Sequence, residues 1–499
     1  MRDGTENSLP TRRDAPRDEK GGDTPRAFLF LLSRRFGFML CAQWGSGLLA
    51  GVFLVLLARL GPERFGLFSL ALALGVLVTM LTGAGIENYL VPLLSGSRAP
   101  MRRVLGQALR IQFVLLLASL LLLALLCFGL GYASGKTLLI MLIAAGLGPA
   151  AMAQSFFVLC RVKGRQDTEM RIRIAAALAG NCFGIVCVLA EAPLPLIACF
   201  KLVESLALWL LIGMALHWRF GGGGENARRW LGRWRHGFLF AGISICGLLY
   251  NKLNLYLLDH FADSRALGLY NAPWEIVDGL SILISGALIE KVMFPLMAGQ
   301  WRKDPRAFMR FNRITVQCLL LLGLVSSYVL YVEADRLLAF LFGGEYRASQ
   351  ALLHAQLPCI AAAFLHNLAA CMLVSMQRYK QVFLAYLSGL AVNIVLCGLL
   401  IPEHGALGAA WAISGTKVWM MAVTVGLAVM HGLELRAGHV CAAAVAGLLA
   451  WLLYALLAPI LPRETAELSG LLPLIGLALL WLPPFFRTRA ENGSDGSGV

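Results

Sequence analysis

Apolar residues run along this chain in fourteen long blocks separated by short polar connections. Each block holds the roughly 20 residues that an α-helix needs to cross about 30 Å of hydrocarbon. They lie at 36–58, 66–92, 108–131, 138–159, 173–191, 194–216, 237–258, 272–297, 312–331, 350–374, 382–401, 405–430, 438–458 and 468–486. The pattern predicts an all-α polytopic membrane protein of 14 transmembrane helices. Little more than Glu191 and Pro193 separates the fifth and sixth blocks, and Pro402, Glu403 and His404 separate the eleventh and twelfth, so tight turns are expected there.

The blocks repeat. After the first, the chain reads Arg59-Leu-Gly-Pro-Glu-Arg-Phe-Gly66-Leu67-Phe68 and continues into an apolar helix ending at Pro92. After the seventh, it reads Asp259-His-Phe-Ala-Asp-Ser-Arg-Ala-Leu-Gly268-Leu269-Tyr270 and continues into one ending at Pro295. The Gly-Leu-aromatic corners are 202 residues apart. A basic connection (Lys163-Gly-Arg165, and again Arg378-Tyr-Lys380) precedes a helix with one intramembrane asparagine, Asn181 and Asn393. Blocks 1–6 and 7–12 therefore read as two copies of one unit. Six is even, so the copies share orientation and form two parallel-repeat six-helix lobes about an axis along the membrane normal, with a terminal helix pair outside the repeat. The expected divisions are a cytoplasmic tail over 1–35, an N-lobe over 36–216, a linker over 217–236, a C-lobe over 237–430, the terminal pair over 431–486 and a second tail over 487–499. Facing parallel bundles invite rocking about a central site, as in many secondary transporters.

Charge sets the orientation. Of the 43 lysines and arginines, 32 fall in the two tails and alternate connections and 7 on the opposite side, leaving 4 lysines inside blocks. Basic loops stay cytoplasmic during insertion, so both termini are expected inside. A chain that is 59% hydrophobic and 14% charged has too little polar material to cover a soluble globule. Its formal charge of +15 is explained by topology and anionic lipid headgroups, and nucleic acid is not an expected partner. The 12 cysteines sit almost all inside apolar blocks without C-x-x-C pairs or histidines at ligand spacing, which suggests buried thiols and no metal. Residues 1–25 lack the apolar core of a signal peptide.

Charges inside the blocks are the candidate chemistry. An ionised side chain at mid-membrane costs about 2.5–3.5 kcal/mol on translocon scales, so it usually faces a bundle interior or wet cavity. Lys417 stands 12 residues into the twelfth block with no acidic residue within a turn. It reads either as a cavity cation for an anionic substrate or as a lysine neutralised by an interhelical carboxylate. Lys252 in block 7 and Glu275 and Asp278 in block 8 are expected at similar depth, as a gate or a static bridge, and Asp278 is a candidate for proton coupling. Lys201 and Glu204, spaced i, i+3, favour a local pair and are further gating or coupling candidates. Gln43, Glu87, Asn88 and Asn251 are candidate polar groups of a cavity or vestibule, while Glu290 and Lys291 lie where lysine can snorkel. No nucleotide loop, zinc-protease or nucleophile-elbow motif occurs, so no enzyme activity and no cofactor are expected. The Gly221–Gly224 run reads as a linker between lobes.

Four stretches carry a resemblance. Glu63-Arg-Phe-Gly-Leu-Phe-Ser69 is similar to an "E-Y-G-L-F-S" corner, and Asn251-Lys-Leu-Asn-Leu through Leu267-Gly-Leu-Tyr270 to "R-L-D…V-G-L-Y". Leu341-Phe-Gly-Gly-Glu-Tyr346 is similar to "L-F-G-x-E-Y", and Leu400-Ile-Pro-Glu-His-Gly-Ala-Leu-Gly-Ala-Ala410 to "I-P-x-Y-G-A-x-G-A-A". Taken together over 36–486, the chain resembles the oligosaccharide (polysaccharide biosynthesis) flippases of the multidrug/oligosaccharidyl-lipid/polysaccharide (MOP) exporter superfamily. The resemblance implies a bacterial inner-membrane protein that moves a polyprenyl-diphosphate-linked oligosaccharide to the periplasmic leaflet for surface polysaccharide, with a polymerase or glycosyltransferases as partners alongside the membrane lipids. One departure stands out: where the family often pairs Arg with Asp, this chain has Lys252 and Asn254. The first block carries no basic residue, unlike the related peptidoglycan-precursor branch. A multidrug extruder of the same superfamily, which wants an acidic aromatic cavity, and a non-transporting scaffold for glycan enzymes remain open at this point.

Overall fold

The computed structural model describes residues 47–83, 101–219, 237–284, 305–433 and 435–481, with 45, 85, 86 and 90. The tails, most of the predicted linker, Pro92, Glu290, Lys291 and Pro295 lie outside the described residues. The described residues form helices and turns without strands, and helix falls within every one of the fourteen apolar blocks. Among them, ten helices are long and apolar enough to cross a membrane. The protein is a multi-pass membrane protein. Its outer surface agrees: on one helix, Leu117, Leu121, Leu125 and Phe128 are exposed while Leu116, Leu123 and Cys127 are buried, so one apolar face meets lipid and the other meets protein.

The elements that position the site are α1 (Gly47–Ala58), α2 (Pro62–Gly83), α3 (Met101–Gly129), α4 (Ser134–Val162), α5 (Gln166–Leu189), the short α6 (Leu194–Ala198) and α7 (Phe200–Arg219). A second series follows with α8 (Gly237–Phe261), α9 (Ser264–Ile284), α10 (Pro305–Val332), the short α11 (Ala334–Phe342) with a 3-10 turn at Gly344–Ser349, α12 (Gln350–Gln356) and α13 (Pro358–Ser375). Helix α14 (Tyr379–Met430) is continuous in hydrogen bonding but breaks at Gly405, whose φ of 55° and ψ of −127° are not helical. That left-handed position favours glycine, and it turns the chain back where the proline at 402 announces a turn. The two arms then run antiparallel, with Asn393 bonded to Thr416 and a Cβ on Gly389 falling on the Met420 side chain. The other expected tight turn is also present, with Glu191 at a φ of 51° just ahead of Pro193.

The two series meet along α2 and α9. Gly66 and Gly268 allow the closest approach: a Cβ on Gly66 would fall on the Ser264 carbonyl oxygen, and one on Gly268 on the Pro62 carbonyl oxygen. Positions 62 and 66 correspond to 264 and 268 in the repeat, so the contact is the same patch meeting itself, as a two-fold axis between parallel copies demands. Asn271 Nδ2 donates to Ser69 Oγ (3.0 Å) one turn further along, and these positions too are 202 apart.

The terminal helices α15 (Ala437–Leu457), α16 (Arg463–Ser469) and α17 (Leu472–Trp481) pack on α10. Arg463 grips Asp335 with both terminal nitrogens (2.6 and 2.9 Å) and reaches Glu467 at 2.7 Å, while Tyr328 donates to the Glu467 carbonyl at 2.8 Å. The Arg463 hydrogen bonds lower the Asp335 carboxyl from 3.8 to about 2. A depressed carboxyl contributes stability that is whole above its unfolded value and is lost as pH falls through the folded one. The melting temperature in detergent is therefore expected to fall as pH drops from 3.8 toward 2, with this component missing in Asp335→Asn.

Candidate functional site

Lys417 lies on the second arm of α14, only 7% exposed. Its helix is held in place on both sides of it: Thr416 bonds to Asn393 and to the Ala412 carbonyl, and Met420 packs onto Gly389. The ammonium nitrogen stands 5.1 Å from the centre of the Tyr250 ring and 5.7 Å from that of Trp274, close enough for cation–π attraction from α8 and α9. The Asp278 charge lies within electrostatic reach of it. The Tyr250 ring in turn meets Tyr386 edge-on at 5.9 Å, and Tyr386 and Thr424 both reach the buried His366.

On α8 and α9, Glu275 accepts from Asn271 at 3.1 Å and lies within electrostatic reach of Lys252 and Asp278. Asn251 Nδ2 donates to the Gly247 carbonyl, while its Oδ1 and the Trp274 indole N–H are buried without a hydrogen-bond partner among the described residues. Lys201 and Glu204 form the local pair at 2.6 Å within α7. Gln43, Glu87 and Asn88 lie outside the described residues.

Asn254, the position of the departure, is fully buried in a neutral network. Its Nδ2 donates to the Ala409 carbonyl (2.8 Å), and its Oδ1 accepts from Asn393 (3.1 Å), which also donates to Thr416 (2.9 Å). These bonds tie α8 to both arms of α14 one residue from Lys417. Replacing Asn393 by leucine takes from the buried Asn254 carbonyl the hydrogen bond it accepts. Such a loss costs about 1–3 kcal/mol, and a matching drop in thermal stability is the expected readout.

Sequence reasoning missed the ion pair that joins the two series. At the end of the bundle carrying the 59–66 and 259–268 corners, Lys136 Nζ bonds both oxygens of Asp259 (2.6 and 2.8 Å), and Tyr132 donates to the same carboxylate at 2.6 Å. The Asp259 side chain is only 4% exposed. Burial, then the bond to Asp259, pushes the Tyr132 phenol well up, so it stays a donor. Nearby, Tyr256 donates to the Ala73 carbonyl (2.8 Å), Tyr346 to the Ala58 carbonyl (3.0 Å), and Arg59 to those of Leu341 and Phe340. Phe65, Phe342 and Tyr346 pack as a ring cluster with centroids 5.5–6.4 Å apart. The signal was available as a buried-end carboxylate opposite one of only 7 cations on the sparse side, but their separation of 123 residues hides the pairing.

Apolar helices in two pseudo-symmetric series, with charged groups buried inside, make up a fold that recurs in solved membrane transporters. The same fold occurs in the lipid II flippase MurJ in an inward closed conformation, at a TM-score of 0.69 and 12% identity over 90% of this chain and 98% of that one. It occurs also in an inward-facing multidrug resistance MATE family transporter of the MOP superfamily (TM-score 0.60, 11% identity, 77% and 94% covered). A mutant of the Vibrio cholerae MATE transporter VcmN shares it too (TM-score 0.54, 15% identity, 82% and 97% covered). No curated protein matches by sequence. The chain belongs to the family described as polysaccharide biosynthesis protein, which matches residues 32–301, and the resemblance read from the four motifs is thereby borne out.

Proposed function

We propose that this protein carries a polyprenyl-diphosphate-linked oligosaccharide from the cytoplasmic to the periplasmic leaflet of the bacterial inner membrane by alternating access, for O-antigen, capsule or exopolysaccharide synthesis. The observation that carries the reading is Lys417: a buried ammonium flanked by aromatic rings, in a member of the polysaccharide biosynthesis family. A buried cation inside the membrane is costly, and a diphosphate is a group that repays it. The Trp274 N–H beside it, and the Asn251 Oδ1 on α8, have no hydrogen-bond partner among the described residues and are suited to sugar hydroxyls. Lys252 is the second anion contact, Glu275 and Asp278 are the gating or coupling carboxylates, and the Lys201–Glu204 pair serves the packing of α7. The lysine argues against a cationic drug as cargo, because like charge at the site repels it.

In this reading all fourteen blocks cross the membrane as two six-helix lobes and a terminal pair, with both termini cytoplasmic and the corner end periplasmic. The lipid tail stays in the bilayer while the headgroup passes between the lobes, and no cofactor takes part. Energy comes from an ion gradient, the membrane potential, or consumption of the product by a polymerase or glycosyltransferases. The test is reconstitution in proteoliposomes with a fluorescent polyprenyl-diphosphate glycan, read as loss of protection from a membrane-impermeant quencher. Protein-dependent translocation is expected. Efflux of cationic dyes with no glycan movement overturns the reading.

A further inference from the structure

The contacts between the two series at the corner end are of two kinds. The Gly66–Gly268 crossing is symmetric and uncharged: backbone meets backbone, and its one side-chain hydrogen bond, Asn271 to Ser69, joins equivalent positions of the two copies. The Lys136–Asp259–Tyr132 cluster has no counterpart at the positions 202 residues away, Leu338, Ala334 and Leu57. It joins the α3–α4 connection and the first turn of α4 in one series to the last turn of α8 in the other, so every bond in it crosses the boundary along which the lobes separate.

We propose that Lys136, Asp259 and Tyr132 are a lock that holds the corner end shut, and that its release sets how often the protein opens on that side. The carboxylate accepts three short hydrogen bonds from the other series and is nearly withdrawn from solvent. When the series part, both charges regain water, so the lock is strong enough to bias the closed state and still reversible. Removing one partner is different. It leaves the other charge enclosed and unpaired, which disfavours closure outright. The symmetric crossing acts as the pivot and the asymmetric cluster as the catch. The connection at 333–349, longer than its counterpart in the first series, also joins the two series through Arg59 and Tyr346.

The lock rests on the reading that the lobes move, but not on what they carry, and the experiment separates the two. Ser69→Cys places a thiol inside the closed crossing, where Ser69 is buried against Asn271. Spheroplasts expressing it are treated with a membrane-impermeant maleimide, and labelling is read by mass spectrometry on the peptide carrying residue 69. Labelling is expected to be slow in the parent and on the order of tenfold faster with Asp259→Asn, since a lost buried contact shifts a two-state population by about that factor. It is expected to return toward the parental rate in the exchange Lys136→Asp with Asp259→Lys. Should Asp259→Asn fail to insert, Tyr132→Phe removes a single bond and is expected to give a smaller rise. Unchanged labelling in the single variants, or an exchange no slower than Asp259→Asn alone, overturns the lock. Absent glycan translocation with labelling that still responds overturns the substrate reading and leaves the lock standing.

Discussion

Lys417→Ala is expected to reduce glycan translocation by at least about tenfold to a hundredfold while the protein remains inserted and melts no earlier than the parent. Charge-assisted hydrogen bonds are worth about 1.5–3 kcal/mol, and a bound diphosphate loses that contact in every state that depends on it. The stability half of the expectation separates a substrate-binding lysine from a structural one. If Lys417 serves to neutralise Asp278, its removal leaves a buried carboxylate uncompensated and the protein melts earlier. If it faces the substrate, removal deletes a costly buried charge and stability is held or rises. Lys417→Met keeps the length of the side chain between the Tyr250 and Trp274 rings and is expected to behave like the alanine variant. Parental translocation by either variant, measured per inserted molecule, ends the assignment.

Much of the architecture was legible because the membrane simplifies the code. A helix in lipid satisfies its own backbone, so long apolar blocks and helices coincide, and the turns at 190–193 and 402–405 were marked by prolines at 193 and 402. The repeat was readable from the glycine corners, and the structure supplies the reason those glycines stand there: each occupies the point where the two copies cross. The motifs behind the family resemblance converge for a related reason. Phe65, Tyr346 and Gly268 come from three of them and meet at the corner end, so these motifs record closure more than ligand chemistry.

The candidate site was legible only in part. A mid-helix lysine announces itself by its cost, but its neighbours Tyr250, Trp274, Tyr386 and His366 look like any aromatic or polar residue in an apolar block. Which of them turn inward depends on helix rotation, and an all-apolar block carries little periodicity to set that rotation. Asn254 illustrates the limit: its departure from the family pattern was visible, whereas its role as a neutral tie to Asn393 and Ala409 required the packing of α8 on α14.

Gly268→Val is expected to abolish translocation without preventing insertion. The new Cβ would fall on the Pro62 carbonyl, a backbone atom that cannot swing aside as a side-chain tip can, so relief requires α2 and α9 to part. Overpacking of this kind costs about 1–3 kcal/mol or more, and the whole of it is charged to the state in which the corners touch. The closed population then falls by about tenfold to a hundredfold, and an alternating transporter that rarely closes one end stops cycling. Gly66→Val is expected to give the same loss, because the crossing presents the same patch from both copies. Gly279, on the same helix as Gly268, has open space where a Cβ would go. Gly279→Ala should therefore translocate normally and, since alanine is the better helix former by roughly 1 kcal/mol, melt no earlier than the parent. Near-parental translocation by both valine variants would mean that the crossing seen here is not a contact the transport cycle visits.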